Sequence, residues 1–234
     1  MNDKIENIHL AATLTDKCFT YILSKLKLGV DEGAIMQEIE SFFRKNGAKN
    51  AFPPIVAFGK HASQPHFNTP DNEPLTNNQL VLLDFGAKVN GYCADMTRTV
   101  FIGKPNDEWV KAYNIVSETQ QAVINEIEKY FDVSIHQSIN ISGATMDRIA
   151  KDRIEKAGYP PYKHSLGHAI GHKVHEAPRL SVKRDALIYP GMVFTIEPGI
   201  YIENEYGIRI EDTVLLKEDG LEILTKSSKD LLIL

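Results

Sequence analysis

Cysteine is almost missing from this chain: its 234 residues hold two, Cys18 and Cys93. A disulfide framework is thereby excluded, and the pair reads as free thiols in a reducing cytoplasm. No apolar run approaches the roughly 18 residues that a membrane helix needs, so neither a spanning segment nor a membrane partner is expected. The opening stretch, Met1 to His9, is polar and mixed in sign, and does not read as a secretory signal. Basic tracts are missing as well. With 26 Lys and Arg against 31 Asp and Glu, the formal charge is -5, which points away from a nucleic-acid partner. There is no low-complexity linker, and hydrophobic (43%) and charged (24%) residues match a folded domain with an ample core. The expectation is one α+β domain over residues 1–234.

What is present is an ordered alternation of elements. Helical spacing runs through Ile5, Ile8, Ala12, Phe19, Ile22 and Leu26 until Gly29. Asp31 is placed to cap a second helix through Ile35, Ile39 and Phe43 to Gly47. Pro53-Pro54 breaks that pattern, and strands and turns follow to about Gly103. The strongest strands, Leu80–Val89 and Tyr92–Ile102, flank Asn90-Gly91, a favoured two-residue hairpin turn. Asn106 or Asp107 opens a long helix from Glu108 to about Tyr130. Another helical pattern covers Ile141–Lys156, stopped by Gly158 and Pro160-Pro161. Strands and loops fill the remainder, clearest at Met192–Ile202 and Gly207–Lys217. Helix, helix, strands, twice over, is a two-fold echo at the level of elements.

The Asn90-Gly91 turn sets the register of its hairpin. With two residues in the loop, Asp84 faces Thr97 and Asp95 faces Gly86. Asp84 and Asp95 then share a face as diagonal neighbours, roughly 7–8 Å apart. Two carboxylates so placed can share metal ions roughly 3.5–4 Å apart. A four-residue loop keeps this pairing and a three-residue loop breaks it. The competing reading is a pair of solvated strand aspartates. Asp84, however, follows the apolar run Val81-Leu82-Leu83, and a buried carboxylate needs a partner.

In the second hairpin, Ile208 and Ile210 fall on one face, with Arg209, Glu211 and Thr213 on the other. That pattern suits a strand with one side on helices and the other lining a site. Pro198 ends or bulges the strand directly after Glu197. Glu197 opposes Glu211 only if the loop between them is odd in length; otherwise the two are ordinary surface glutamates. Histidine is concentrated: of eight, His164, His168, His172 and His175 fall within twelve residues. Gly167 and Gly171 argue for close backbone approach in a strand or loop rather than a helix. Imidazole with several carboxylates and no thiolate suits Mn, Co, Fe or Zn, and a mainly carboxylate set leans toward Mn. Cys93, two residues before Asp95, either lines the pocket on the same strand face or packs as a small core residue.

Four segments together carry a resemblance. They are Leu83-Asp84-Phe85-Gly86 with Gly91-Tyr92-Cys93-Ala94-Asp95-Met96-Thr97-Arg98-Thr99, then Gly167-His168-Ala169-Ile170-Gly171 with Val174-His175-Glu176-Ala177-Pro178. Thr195-Ile196-Glu197-Pro198-Gly199-Ile200-Tyr201 and Gly207-Ile208-Arg209-Ile210-Glu211-Asp212 complete the set. In this order, over nearly the whole chain, they resemble the pita-bread metallopeptidases, which include methionine aminopeptidase, Xaa-Pro aminopeptidase and prolidase. The last two segments are similar to the Xaa-Pro branch. Ala169 and His172 depart from it, as does the lack of the N-terminal domain that frames the pocket of larger members.

The resemblance implies a curved, mostly antiparallel sheet with helices on its outer face, in two pseudo-symmetric halves. It implies a dinuclear centre ligated by Asp84, Asp95, His168, Glu197 and Glu211. Asp95 and Glu211 would bridge, Asp84 would hold one ion, and His168 with Glu197 the other. The expected cofactors are two divalent ions, foremost Mn2+, with Co2+, Zn2+ or Fe2+ as alternatives. Glu197 is expected to shuttle the proton and His175 to stabilise the oxyanion. His66, His164, His175 and Arg209 are the expected substrate contacts. The implied activity is removal of an N-terminal residue from short peptides at Xaa-Pro bonds. The rivals are a methionine aminopeptidase and a non-catalytic binding protein on the same fold. A cytoplasmic location is expected, with a short peptide as partner and room for a homodimer.

Overall fold

Asp31 begins the second helix because its carboxylate accepts from the Ala34 amide at 2.7 Å, pairing a donor that the first helical turn leaves open. The computed structural model describes residues 2–68, 73–131 and 141–234; residues 69–72, inside the stretch read as strands and turns, lie outside the described residues. Helix α1 spans Asn2–Leu23 and α2 spans Glu32–Lys45. Helix α3 (Asp107–Glu128) opens at Asn106, whose side chain accepts from the Trp109 amide at 2.8 Å. Helix α4 covers Gly143–Lys156 and does not begin at Ile141. Ile141–Ser142 instead pairs with Leu187–Ile188, and the Ser142 hydroxyl caps the helix. No helix of the described residues is long and apolar enough to cross a membrane.

Each helix pair covers one face of the strands. In one sheet, Gln79–Phe85 lies between Ile55–Phe58 and Met96–Ile102. A second sheet runs in the order Leu221–Ile223, Asp212–Leu216, Val193–Ile196, Gly167–Ala169, Glu176–Leu180. Every ladder in both is antiparallel. Alternation sends Val81, Leu83 and Phe85 into a core with Ile8, Phe19, Ile35 and Phe43 of α1 and α2. Leu80 and Leu82 point the other way, toward Val116, Val123, Met146 and Ile154 of α3 and α4. The middle strand is therefore buried on both faces, and Asp84 is carried into the interior with it.

Both hairpins keep one register along their length, and each is interrupted beside a carboxylate. At Gly86 a Cβ would lie 1.8 Å from the Ala94 carbonyl oxygen, so the strands press together there. The expected strand Leu80–Val89 breaks at this point, giving Gln79–Phe85 on Met96–Ile102 and Ala87–Val89 on Tyr92–Cys93. Asp84 still faces Thr97, around Asn90 and Gly91 at φ 49° and 86°, the positive angles that a type I′ turn requires. In the second hairpin, Val193–Ile196 pairs with Asp212–Leu216, and Gly199–Ile202 with Tyr206–Arg209. The loop is Glu203-Asn204-Glu205, with Asn204 at φ 60°. Its length is odd, so the shared register sets Glu197 opposite Glu211. Ile208 and Ile210 lie in the core shared with α3 and α4, as their face predicts.

Threonines join the halves. The Asp95 amide donates to Thr213 Oγ1 at 3.0 Å, and the Thr213 hydroxyl donates back to the Asp95 carbonyl at 2.8 Å. The Glu211 amide donates to the Thr97 carbonyl at 3.1 Å, and the Arg209 amide to Thr99 Oγ1 at 3.2 Å. Asp95 thus leaves its own ladder and is held against the second half.

Candidate metal centre

Four carboxylates converge where the two interrupted hairpins meet. Asp84, Asp95, Glu197 and Glu211 line a narrow cleft of about 70 Å³ together with His66, His164, His168, His175 and Arg209. All nine residues expected at the site are in that lining. His172 is not: its ring stacks on Tyr92 with centroids 4.1 Å apart, and it is exposed. The histidine-rich stretch is strand and loop, as its glycines require. A Cβ on Gly167 would lie 1.9 Å from the Thr195 carbonyl oxygen, so only glycine lets the His168 strand sit this close to the Glu197 strand.

Two of the acids have their orientation fixed, and three have an oxygen left over. Arg209 Nη2 holds Asp84 Oδ2, and the Thr97 hydroxyl donates to Glu211 Oε2 at 2.6 Å. Asp84 Oδ1, Asp95 Oδ1 and Glu211 Oε1 are buried without a hydrogen-bond partner. Buried polar atoms are rarely left this way, and such oxygens call for a cation. His168 supplies a matching nitrogen. Its Nδ1 lies 3.2 Å from the Ala169 carbonyl, which can only accept, so Nδ1 carries the hydrogen and Nε2 presents its lone pair. Nε2 stands 3.6 Å from Asp95 Oδ2 and 3.5 Å from Glu197 Oε1, beyond hydrogen-bonding distance but close enough to share an ion. Asp95, His168 and Glu211 each offer one ligand atom, all within 4.8 Å of one another. The donor set therefore fits divalent cations.

The electrostatics point the same way. Burial, reinforced by Glu211, Asp84 and Glu197, pushes the Asp95 carboxyl well above the usual range. Burial and Glu211 do the same to Glu197. Burial and Asp84 raise Glu211 to about 8. Burial lowers His168 to about 3, with His175 adding to the effect, so the ring is neutral and able to ligate. Burial, then Arg209, lowers His164 to about 3. One guanidinium serves four acids.

Two expectations change. Arg209 does not stand free for a substrate carboxylate. It is 3% exposed, and four of its five N–H donors are committed, to Asp84, the Thr97 hydroxyl at 2.9 Å, the Tyr201 hydroxyl at 2.8 Å and the Pro65 carbonyl at 3.2 Å. Cys93 does not line the cleft. It packs in the α1–α2 core, because the break at Ala94-Asp95 ends the alternation that would have put it beside Asp95. Tyr201 was missed as a site residue; it joins Arg209 to His164 Nε2, 3.1 Å away. Its signal was its place in the Glu197-Pro198-Gly199-Ile200-Tyr201 segment. Phe52, Ile55 and Val174, which form the apolar wall, carried no such signal.

Residues 6–218 match metallopeptidase family M24. An uncharacterized peptidase of Bacillus subtilis is 38% identical over 235 residues, covering 100% of this chain and 64% of the relative. Another, from Staphylococcus haemolyticus, is 42% identical over 228 residues, covering 97% of this chain and 62% of its own. The chain thus spans less than two thirds of these relatives' length. Among solved structures, an Xaa-Pro dipeptidase from Bacillus anthracis superposes with a TM-score of 0.91 at 38% identity, covering 100% of this chain and 63% of that one. An X-Pro aminopeptidase from Thermotoga maritima does so with a TM-score of 0.91 at 36% identity, covering 100% and 64%. The architecture is the pita-bread arrangement expected, and the chain belongs to metallopeptidase family M24.

Proposed function

We propose that this site hydrolyses the first peptide bond of short peptides with proline in second position, using two divalent cations. The observation that carries the proposal is the trio of buried, unpartnered oxygens on Asp84, Asp95 and Glu211. Asp84, Asp95, His168, Glu197 and Glu211 would hold the ions, Asp95 and Glu211 shared between them. An oxygen-rich set with one imidazole favours Mn2+. When bound, two such ions lower the pKa of a water and polarise the scissile carbonyl.

The chain's own residues do the rest. Glu197 accepts the proton of the attacking water and passes it to the leaving nitrogen. His175, its ring 4.4 Å from that of His168, donates a hydrogen bond to the oxyanion. Burial and Arg179 lower its pKa, so it acts as a neutral donor. His66 and His164 flank the proline. Its tertiary amide has no N–H, so the pocket need not supply an acceptor. Arg209 orients Asp84 and Tyr201. The Xaa-Pro branch is supported by the names of the superposing dipeptidase and aminopeptidase. Two buried free thiols accord with a reducing cytoplasm as the compartment.

The test is a rate comparison of Mn2+-loaded protein on Xaa-Pro dipeptides, Xaa-Pro tripeptides and Met-Gly-Xaa peptides. Cleavage of Xaa-Pro bonds is expected, lost on chelation and restored by Mn2+ or Co2+. Preference for Met-Gly peptides would transfer the site to methionine aminopeptidase. Full activity after confirmed metal loss would overturn the metal role.

A further inference from the structure

His172 is the one member of the histidine cluster outside the cleft, and its contacts are unusually complete for an exposed side chain. Its ring lies on Tyr92, 28° from parallel. Its Nδ1 donates to the Gly91 carbonyl at 3.1 Å. Its own carbonyl accepts from Lys88 Nζ at 2.6 Å, and the neighbouring Gly171 carbonyl accepts from the Cys93 amide at 2.8 Å. All these partners belong to the tip of the first-half hairpin, Ala87–Val89 with Tyr92–Cys93. The segment they grip is short. Three residues beyond His172 comes His175, and Val174 between them also lines the cleft. The far side of the turn is closed by Glu176 Oε1, which accepts from the Lys173 amide at 3.0 Å.

From this geometry we infer that the Tyr92–His172 stack is a positioning clamp: the first-half hairpin tip holds the turn that sets His175 over the reacting carbonyl. The inference rests on the proposed role of His175. The base of the turn is closed by the pairing of Ala169 with Glu176, and the stacked rings resist sliding and tilting at its tip. Without the stack the tip loosens, and His175, between tip and base, loses the alignment that a hydrogen bond to a developing oxyanion needs. Ground-state binding relies on the rest of the cleft, so the effect falls on turnover. His172 is four residues from His168 and touches no ligand, so metal content is untouched.

The test compares wild type, His172→Ala and His172→Phe, all Mn2+-loaded, for metal content, kcat and KM on one Xaa-Pro peptide, and amide hydrogen exchange over residues 171–176. His172→Ala should lower kcat about tenfold with KM within about twofold, keep both metal ions, and speed exchange in that segment. His172→Phe retains a ring on Tyr92 and should recover wild-type exchange and most of kcat. An unchanged kcat and unchanged exchange in His172→Ala would overturn the clamp. So would a His172→Phe protein as slow as His172→Ala, or a loss of kcat that tracks lost metal. If wild type cleaves no Xaa-Pro peptide, the reading of the site fails, and the exchange comparison alone still decides the clamp.

Discussion

Glu211 and Asp212 are neighbours in sequence, Asp212 opening a strand and Glu211 in the break before it; both are buried, and they live in opposite electrostatic worlds. Asp212 has two cations to itself: Arg98 Nη2 at 2.6 Å and Lys229 Nζ at 2.9 Å. Burial alone would raise its pKa, but the two cations overcome burial and hold it low. Arg98 spends its remaining donors on the Thr97, Glu211, Ser227 and Ser228 carbonyls, so that cluster is closed. Glu211, facing the other way, shares one arginine with three more carboxylates and keeps an oxygen unpartnered. Burial is common to both. What separates a structural ion pair from a site is charge imbalance, and only the side facing the cleft has it.

The comparison can be broken from either side. The largest effect is expected from Glu197→Gln, which removes the proposed proton carrier and should lower kcat by roughly 10²–10⁴ while leaving Asp212 and the fold alone. Steady-state rates with verified metal content decide it. Next is Asp212→Ala, which strands Arg98 and Lys229 without their acid. It should cost about 3–5 kcal/mol in denaturant unfolding and, in the folded fraction, leave metal affinity unchanged. Asp95→Asn should do the reverse. It should abolish binding of both ions, a larger loss than Asp84→Asn causes, yet make the metal-free protein more stable at pH 8. Metal titration and unfolding of the same two variants check both signs.

The pH profiles of the two clusters should also oppose one another. A carboxyl whose folded pKa is raised binds protons more tightly when folded. The metal-free protein should therefore lose stability as pH climbs from glutamate's ordinary 4.5 toward the value of about 8 at Glu211. Asp212, held low, contributes stability above its ordinary 3.8 that is lost as pH falls further. Thermal unfolding with and without Mn2+ over this range separates them, because the cation should flatten the upper slope only. The smallest effect concerns Cys93. Burial raises its thiol pKa, and it lies off the cleft, so alkylation should be slow and should track unfolding rather than act on the folded protein.

Much of this was legible from local chemistry. Asn90-Gly91 dictated a two-residue turn, and with it the register that sets Asp84 opposite Thr97. Asp31 and Asn106 announced their helices by the hydrogen bonds that they make. The second hairpin was less legible, because nothing in Glu203-Asn204-Glu205 announces a three-residue loop until Asn204 is seen at positive φ. The breaks beside the ligands were not legible at all. Gly86 and Gly167 matter through what they approach, a backbone carbonyl of the facing segment, and counting by twos across such a break misplaced Cys93. Arg209 was readable as facing the site but not as being consumed by Asp84 and Tyr201, since both partners arrive by tertiary packing. The ligand set itself came from the resemblance.

The central claim is that the cleft carboxylates stay partly protonated until cations relieve them. Calorimetric titration of metal-free protein with Mn2+ at pH 7, repeated in buffers of different ionisation enthalpy, measures ions bound and protons released together. The account predicts two ions per chain and a net release of protons on binding, because Glu211, with a pKa of about 8, must give up its proton to ligate. Binding of two ions with no proton release, or no binding by a folded chain, would contradict it.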